Sequence, residues 1–314
     1  MARSVRPWLA GIKSTVAAAI LLTLLASPAA ASTGGAGTAA ADPPPPGSPS
    51  GAPAAEPPSA GVLSLLSART SPRRSFFYGV RNPSLRFEIE STQAQNDLQI
   101  DVVDSAGEVV RSFYRNDVAP HAPLTIRWDG TTAEGRPARN GRYSFRIGVQ
   151  GASASLARLA GDSSEPPSLG FALYDYAFPV LGPHSFGGPA NRFGAPRAGH
   201  THQGQDILAP CGAAEVAARG GTVQYAGYEA NAGNYVVIDG KGTGFDFMYA
   251  HLAEPSPLKA GDPVRTGQPI GVVGETGDAV GCHLHFEIWT APGWYEGGSP
   301  IDPLPYLEKW DRYS

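Results

Sequence analysis

Between Ser84 and Val149 the apolar residues return at every second position, and that period fixes the fold class of the region. In "SLRFEIES" Leu85, Phe87 and Ile89 alternate with polar neighbours, and in "LQIDVVD" Leu98, Ile100 and Val102 do the same. "LTIRWDG" and "RYSFRIGV" repeat the pattern, with Gly, Asn and Asp at the joins. Successive strand side chains point to opposite faces of a sheet, so each segment buries one face only. Short strands at such spacing predict an antiparallel, Ig-like β-sandwich over residues 76–150. His121, alone in "APHAP", reads as a solvated loop residue of this unit.

A second strand-rich region follows, with Gly-rich turns and almost no helical periodicity. "GTVQYAG", "NYVVIDG", "FDFMYAHL", "QPIGVVG" and "HLHFEIW" read as successive strands of a domain over residues 174–314. The chain as a whole is therefore expected to be all-β.

Upstream, Arg3, Arg6 and Lys13 precede an apolar run from Val16 to Ala26, and Ala29 to Ala31 offer a small-residue cleavage site. Residues 1–31 thus have the layout of a secretory signal peptide, with an apolar core short of the roughly 20 residues a membrane span needs. An uncleaved N-terminal anchor is the alternative. Residues 32–72 are nearly all Pro, Ala, Gly and Ser, a composition that cannot bury enough apolar surface to offset its ordering entropy; they are expected to be a disordered spacer. Within it, "VLSLLSA" at 62–68 is compatible with a brief helix. Without the leader the formal charge is −7 rather than −4, and no basic stripe is present to track a phosphate backbone, which argues against nucleic acid as a partner. The expected location is extracytoplasmic, secreted or associated with the cell wall, with no stable membrane insertion after cleavage.

Six of the seven histidines fall in the second domain: His184, His200, His202, His251, His283 and His285. In "HLHFEIW" His283 and His285 stand at i and i+2 of a strand, on one face and about 7 Å apart at Cα. His202 and Asp206 in "HQGQD" would lie about 13 Å apart on a straight strand, too far to share an ion, so they converge only if the chain bends at Gly204. Two histidines and a carboxylate from separated segments, with a fourth position left for water, make an open catalytic zinc site. The plainer alternative is a polar edge strand and an ordinary turn.

The segments H202-Q-G-Q-D206, "YAHL" at 249–252, "AGDPVRTGQPIGVVGETG" at 260–277 and "HLHFE" at 283–287 together resemble the lysostaphin/LytM-type zinc metallopeptidases. The resemblance is collinear from about Phe178 to Leu307. It implies a β-sheet-rich domain of the duplicated hybrid motif type, with peptidoglycan as substrate and peptide bonds in stem peptides or cross-links as target. It implies His202, Asp206 and His285 as zinc ligands, with His251 and His283 as the catalytic histidines that orient or polarise water and the scissile carbonyl. Thr201 stands where the family often has a second histidine, leaving His200 one step further back as a spare ligand, a substrate contact or, the preferred reading, a solvated loop residue; His184 also reads as loop. In the sandwich, "IRWDGTTAEGRPARNGRYSFRI" resembles the Ig-like module of flagellar hook-capping proteins.

Cys211 and Cys282 are the only cysteines, and in an exported domain two cysteines most simply form a disulfide. As thiolate ligands they would close a site that must stay open to water. Glu287, on the same strand as both histidines, reads as structural, since no H-E-x-x-H helix is present to supply a glutamate base. Two rival classes remain: a non-catalytic LytM-type wall-binding or hydrolase-activating protein, and a lipoyl-type carrier with Lys241 in its hairpin turn.

Overall fold

Leu85, Phe87 and Ile89 turn inward and are fully buried, as their period requires. The structure, a computed structural model, describes residues 63–151 and 169–313. The signal peptide and most of the spacer expected up to residue 72 lie outside the described residues.

The first unit contains strands β1 (Leu63–Ser71), β2 (Arg74–Phe76), β3 (Ser84–Ser91), β4 (Asn96–Asp104), β5 (Val109–Val118), β6 (Leu124–Arg127), β7 (Gly141–Val149) and β8 (Gly170–Tyr174). They form a three-stranded sheet β1–β3–β6 and a five-stranded sheet β2–β8–β7–β4–β5. The core between them packs Phe87 and Ile89 with Ile100, Phe145 and Phe171 around a fully buried Trp128. Two expectations are corrected here. Of the segment expected as a brief helix at 62–68, the described residues 63–68 are part of strand β1, because antiparallel pairing with β3 takes up their backbone hydrogen bonds and Leu65 fills the core. The sandwich therefore begins at Leu63, inside the expected spacer, and is completed by β8, beyond residue 150 and parallel to β2.

The second unit contains β9 (Pro196–Arg197), β10 (His200–Thr201), β11 (Gln205–Leu208), β12 (Ala214–Val216), β13 (Gly221–Glu229), β14 (Gly233–Gly240), β15 (Phe245–Leu252), β16 (Pro263–Val264), β17 (Pro269–Val272), β18 (His283–Thr290), β19 (Pro300–Ile301) and helix α1 (Leu304–Asp311). Its main antiparallel sheet runs β11–β18–β15–β14–β13–β16, with β19 beside β18. One short helix, α1, closes this strand-rich unit. Pro305 sits in its first turn, where proline's missing N–H is no loss, and Leu307 and Trp310 bury against Phe247 and Phe286.

The two units meet along residues 77–80. Thr266 donates its backbone N–H to Tyr78 O (3.0 Å) and its hydroxyl to Phe77 O (2.8 Å). The Arg219 guanidinium lies 4.6 Å from the Phe77 ring centre. Lys241, exposed, places its ammonium 4.4 Å from the Tyr78 ring centre.

Candidate functional site

The antiparallel register of β11 and β18 sets Asp206 directly opposite His285 and Leu208 opposite His283. His283 and His285 share a face of β18, as their spacing requires. His202 lies just ahead of β11, its backbone N–H donated to Ala195 O (2.8 Å). Gly204 stands between the two short segments for a reason of space. A Cβ there would come within 2.5 Å of Phe286 O and 2.9 Å of the His285 ring, so only glycine lets the loop pass this close to β18.

The side chains converge tightly. His202 Nε2 and His285 Nδ1 lie 3.0 and 3.1 Å from Asp206 Oδ1, and 2.9 Å from each other. The outer ring nitrogens are already committed: His202 Nδ1 donates to Arg192 O (2.8 Å), and His285 Nε2 donates to Glu287 Oε1 (2.8 Å). With the rings neutral, two imidazole lone pairs and a carboxylate oxygen are aimed at one point, an arrangement of acceptors that a bound cation satisfies, as a proton on His285 does without one. A tetrahedral zinc ion with bonds of about 2.0 Å holds its ligand atoms about 3.3 Å apart, close to the separations found. The three donor atoms all lie within 4.8 Å of one another, so the residues fit a metal ion.

The electrostatics agree. Burial raises the Asp206 carboxyl, but hydrogen bonds from His202 and His285 outweigh it and hold the group well below the usual carboxylate range. Burial opposes charge on His285, yet its bonds to Asp206 and Glu287 prevail and raise it to about 9. In the absence of metal, a proton on His285 is the positive charge that the carboxylates demand.

His251 reaches the same place by a different device. The register between β14 and β15 slips between Tyr249 and Leu252, so β15 carries one extra residue there. Such a bulge re-aims a side chain, and His251 sits in it with φ of 64°. Its Nδ1 donates to Thr276 O (2.7 Å), which leaves Nε2 as a lone pair. Burial is the main cause that lowers this imidazole to about 4, with His285 and His283 adding to the effect, so it is neutral at pH 7. The rings of His251 and His283 lie 4.8 Å apart between centres, and His283 Nδ1 donates to Gly281 O (2.9 Å). His283 Nε2 is 3.7 Å from Asp206 Oδ1, so it also faces the cluster.

All five residues line one cleft of about 850 Å3, which Tyr235, Trp294 and Tyr295 also line. His200 sits exposed at its rim. His184 stacks on Phe178 (4.2 Å between ring centres) and pairs with Asp311, away from the cluster. His121 is exposed and pairs with Glu90 at 3.4 Å. Cys211 and Cys282 are disulfide-bonded, with Cα atoms 5.2 Å apart. The bridge fastens the segment after β11 to the start of β18, and so ties the two ligand-bearing strands together.

Two residues gain a role the sequence did not reveal. Glu287 is buried; its Oε1 accepts from His285, and its Oε2 accepts from Trp289 Nε1 (2.6 Å) and Trp294 Nε1 (3.3 Å). The i, i+2 spacing of His285 and Glu287 was the available signal. Arg197 Nη2 stands 3.5 Å from Asp206 Oδ2, on a hairpin that no sequence motif marked.

Residues 200–303 match Peptidase family M23, and residues 79–153 match the FlgD Ig-like domain. Among curated relatives, the chain is 41% identical over 87 residues to the peptidoglycan DD-endopeptidase ShyC of Vibrio cholerae serotype O1, covering 28% of this chain and 20% of that protein. It is 36% identical over 103 residues to the DD-carboxypeptidase/endopeptidase Mpg of Neisseria meningitidis serogroup B, covering 33% of this chain and 22% of that one. The chain thus spans about a fifth of the length of these relatives. The catalytic domain of lysostaphin from Staphylococcus simulans aligns at 27% identity with a TM-score of 0.35, covering 40% of this chain and 92% of that one.

Proposed function

We propose that this chain, which carries a Peptidase family M23 domain at residues 200–303 behind an FlgD-type Ig-like domain, is an exported zinc endopeptidase that cleaves peptide bonds in peptidoglycan. The observation that carries this reading is the convergence of His202, Asp206 and His285 on one point, with both outer imidazole nitrogens already satisfied. These three residues would hold the zinc. The ion supplies a Lewis acid for the scissile carbonyl and lowers the pKa of water toward about 7. His251, neutral and anchored through Nδ1, accepts a proton at Nε2. His283, anchored to Gly281 O, directs Nε2 into the cleft, where, when both ring nitrogens carry hydrogen, it would donate to the developing oxyanion. Both histidines keep their position because each is fixed by a backbone carbonyl.

The substrate class is supported by the relative named as a peptidoglycan DD-endopeptidase and by the export leader read at residues 1–31. A hydrolase-activating protein without activity of its own is the weaker reading, because all five motif residues stand together in one cleft.

Peptidoglycan digested with purified protein should release fragments whose masses report peptide-bond cleavage. A chelator should abolish the release and zinc should restore it. Full activity in excess chelator, with zinc absent by elemental analysis, would overturn the proposal.

A further inference from the structure

A second cavity, of about 450 Å3, opens where the sandwich meets the peptidase domain and shares no lining residue with the cleft. Arg81, Arg127 and Arg265 line it from three separate segments, beside Ser71, Asn82 and Ser84, and no acidic residue lines it. Among the described residues, Arg81 and Arg127 have no side-chain hydrogen bond or ion pair. The Arg265 guanidinium lies 4.3 Å from the Tyr78 ring centre, a contact that leaves its charge uncompensated.

The positive charge continues beyond the cavity. Ser84 and Arg86, two apart on β3, share the outer face of the three-stranded sheet; Ser84 is paired with Ser71 and Arg127, and Arg86 stands directly opposite Arg69. Like charges directly opposed across strands are destabilising, so the pair counts against the fold unless something neutralises it. Glu88, the next residue on this face of β3, is opposite Ser67 and makes no ion pair with either arginine. Asp129 accepts from the Thr131 hydroxyl and backbone N–H instead of pairing with Arg127. A concentrated positive surface on an otherwise acidic chain therefore lacks an internal partner.

We propose that this cavity is a phosphate-binding site and that, with Arg69 and Arg86 beside it, it takes the phosphodiester groups of an anionic wall polymer. Guanidinium forks suit oxyanions, and a tetrahedral phosphate accepts donors from the several directions that three segments provide. A planar carboxylate is filled by one coplanar fork. The flanking arginine pair favours a ligand with charge at each repeat over a single free ion. Only the wall as the polymer's source rests on the proposed export; the site itself does not depend on hydrolysis.

The test measures calorimetric binding of inorganic phosphate, a poly(glycerol phosphate) oligomer and a polyuronate of equal charge to the full chain. The oligomer should bind most tightly, weaken about 10-fold or more as salt is raised, and be displaced by phosphate. Arg81→Ala/Arg127→Ala should lose about 10-fold or more for both phosphate ligands, with unchanged melting temperature and unchanged cleavage of a soluble peptide. Arg86→Ala should weaken the oligomer and leave inorganic phosphate unaffected. Absence of phosphate and oligomer binding, or equal oligomer binding by the double variant, would overturn the site. Equal affinity for the polyuronate would overturn its assignment to phosphate.

Discussion

His283 and His285 occupy the same face of one strand, two residues apart, yet their hydrogen bonds divide their work. His285 gives Nε2 to Glu287 and turns Nδ1 to the cluster, whereas His283 gives Nδ1 to a backbone carbonyl and keeps Nε2 for the cleft. His285→Ala should therefore lose zinc and activity together. His283→Ala and His251→Ala should keep close to one zinc per chain while losing rate by about 100- to 10,000-fold. Zinc stoichiometry measured beside rate separates the roles, and a metal-free His283→Ala with zinc retained in His285→Ala would reverse them. Glu287 fixes the tautomer of His285, and partners of this kind contribute to metal affinity without touching the ion. Glu287→Gln should weaken zinc binding by about 10- to 100-fold in a competition titration with a chelating dye. Unaltered affinity would leave Glu287 with the purely structural role its sequence position implied.

At the scale of elements, strand pairing brings the groups together and also creates a liability. The pairing of β12 with β17 carries Glu215 into the core, fully buried, with neither carboxylate oxygen hydrogen-bonded. Burial pushes this carboxyl well above its ordinary value of 4.5. The folded protein then keeps a proton that the unfolded chain releases once pH passes about 4.5, so Glu215 lowers stability progressively as pH rises from there. Glu215→Gln removes the ionisation and should melt at a higher temperature than the parent at pH 8, with the gap closing at pH 4. Thermal denaturation at both pH values checks it, and a gap of equal size at each would contradict this account.

Across the whole molecule, the Cys211–Cys282 bridge spans 71 residues and joins the strands that carry Asp206 and His285. A cross-link of this length contributes up to about 4 kcal/mol in the chain-entropy model. Reduction should lower the melting temperature and weaken zinc retention together, because the bridge holds β11 and β18 at the site. Thiol titration of the native protein should find no free cysteine. Two titrating thiols in folded, oxidised protein would contradict the bridge. The junction of the two units uses Phe77, Tyr78 and Thr266 in place of a free linker, so the sandwich packs directly on the domain that carries the cleft.

The all-β class followed from sequence because a period of two has only one regular structure that buries a single face. The cluster of His202, Asp206, His251, His283 and His285 was legible from motifs and their collinear resemblance to a known family. Tertiary structure decided what local pattern cannot encode. "LSLLSA" became a strand because β3 offered it an edge, since a short apolar run has no period strong enough to choose helix or strand by itself. His251 was aimed by a bulge whose register slip depends on the neighbouring strand. Glu287 was assigned its partners, and the arginines of the junction were brought together from 81, 127 and 265, by folding alone. Such contacts join residues far apart in the chain, and their meeting is fixed by sheet register and the packing of two units.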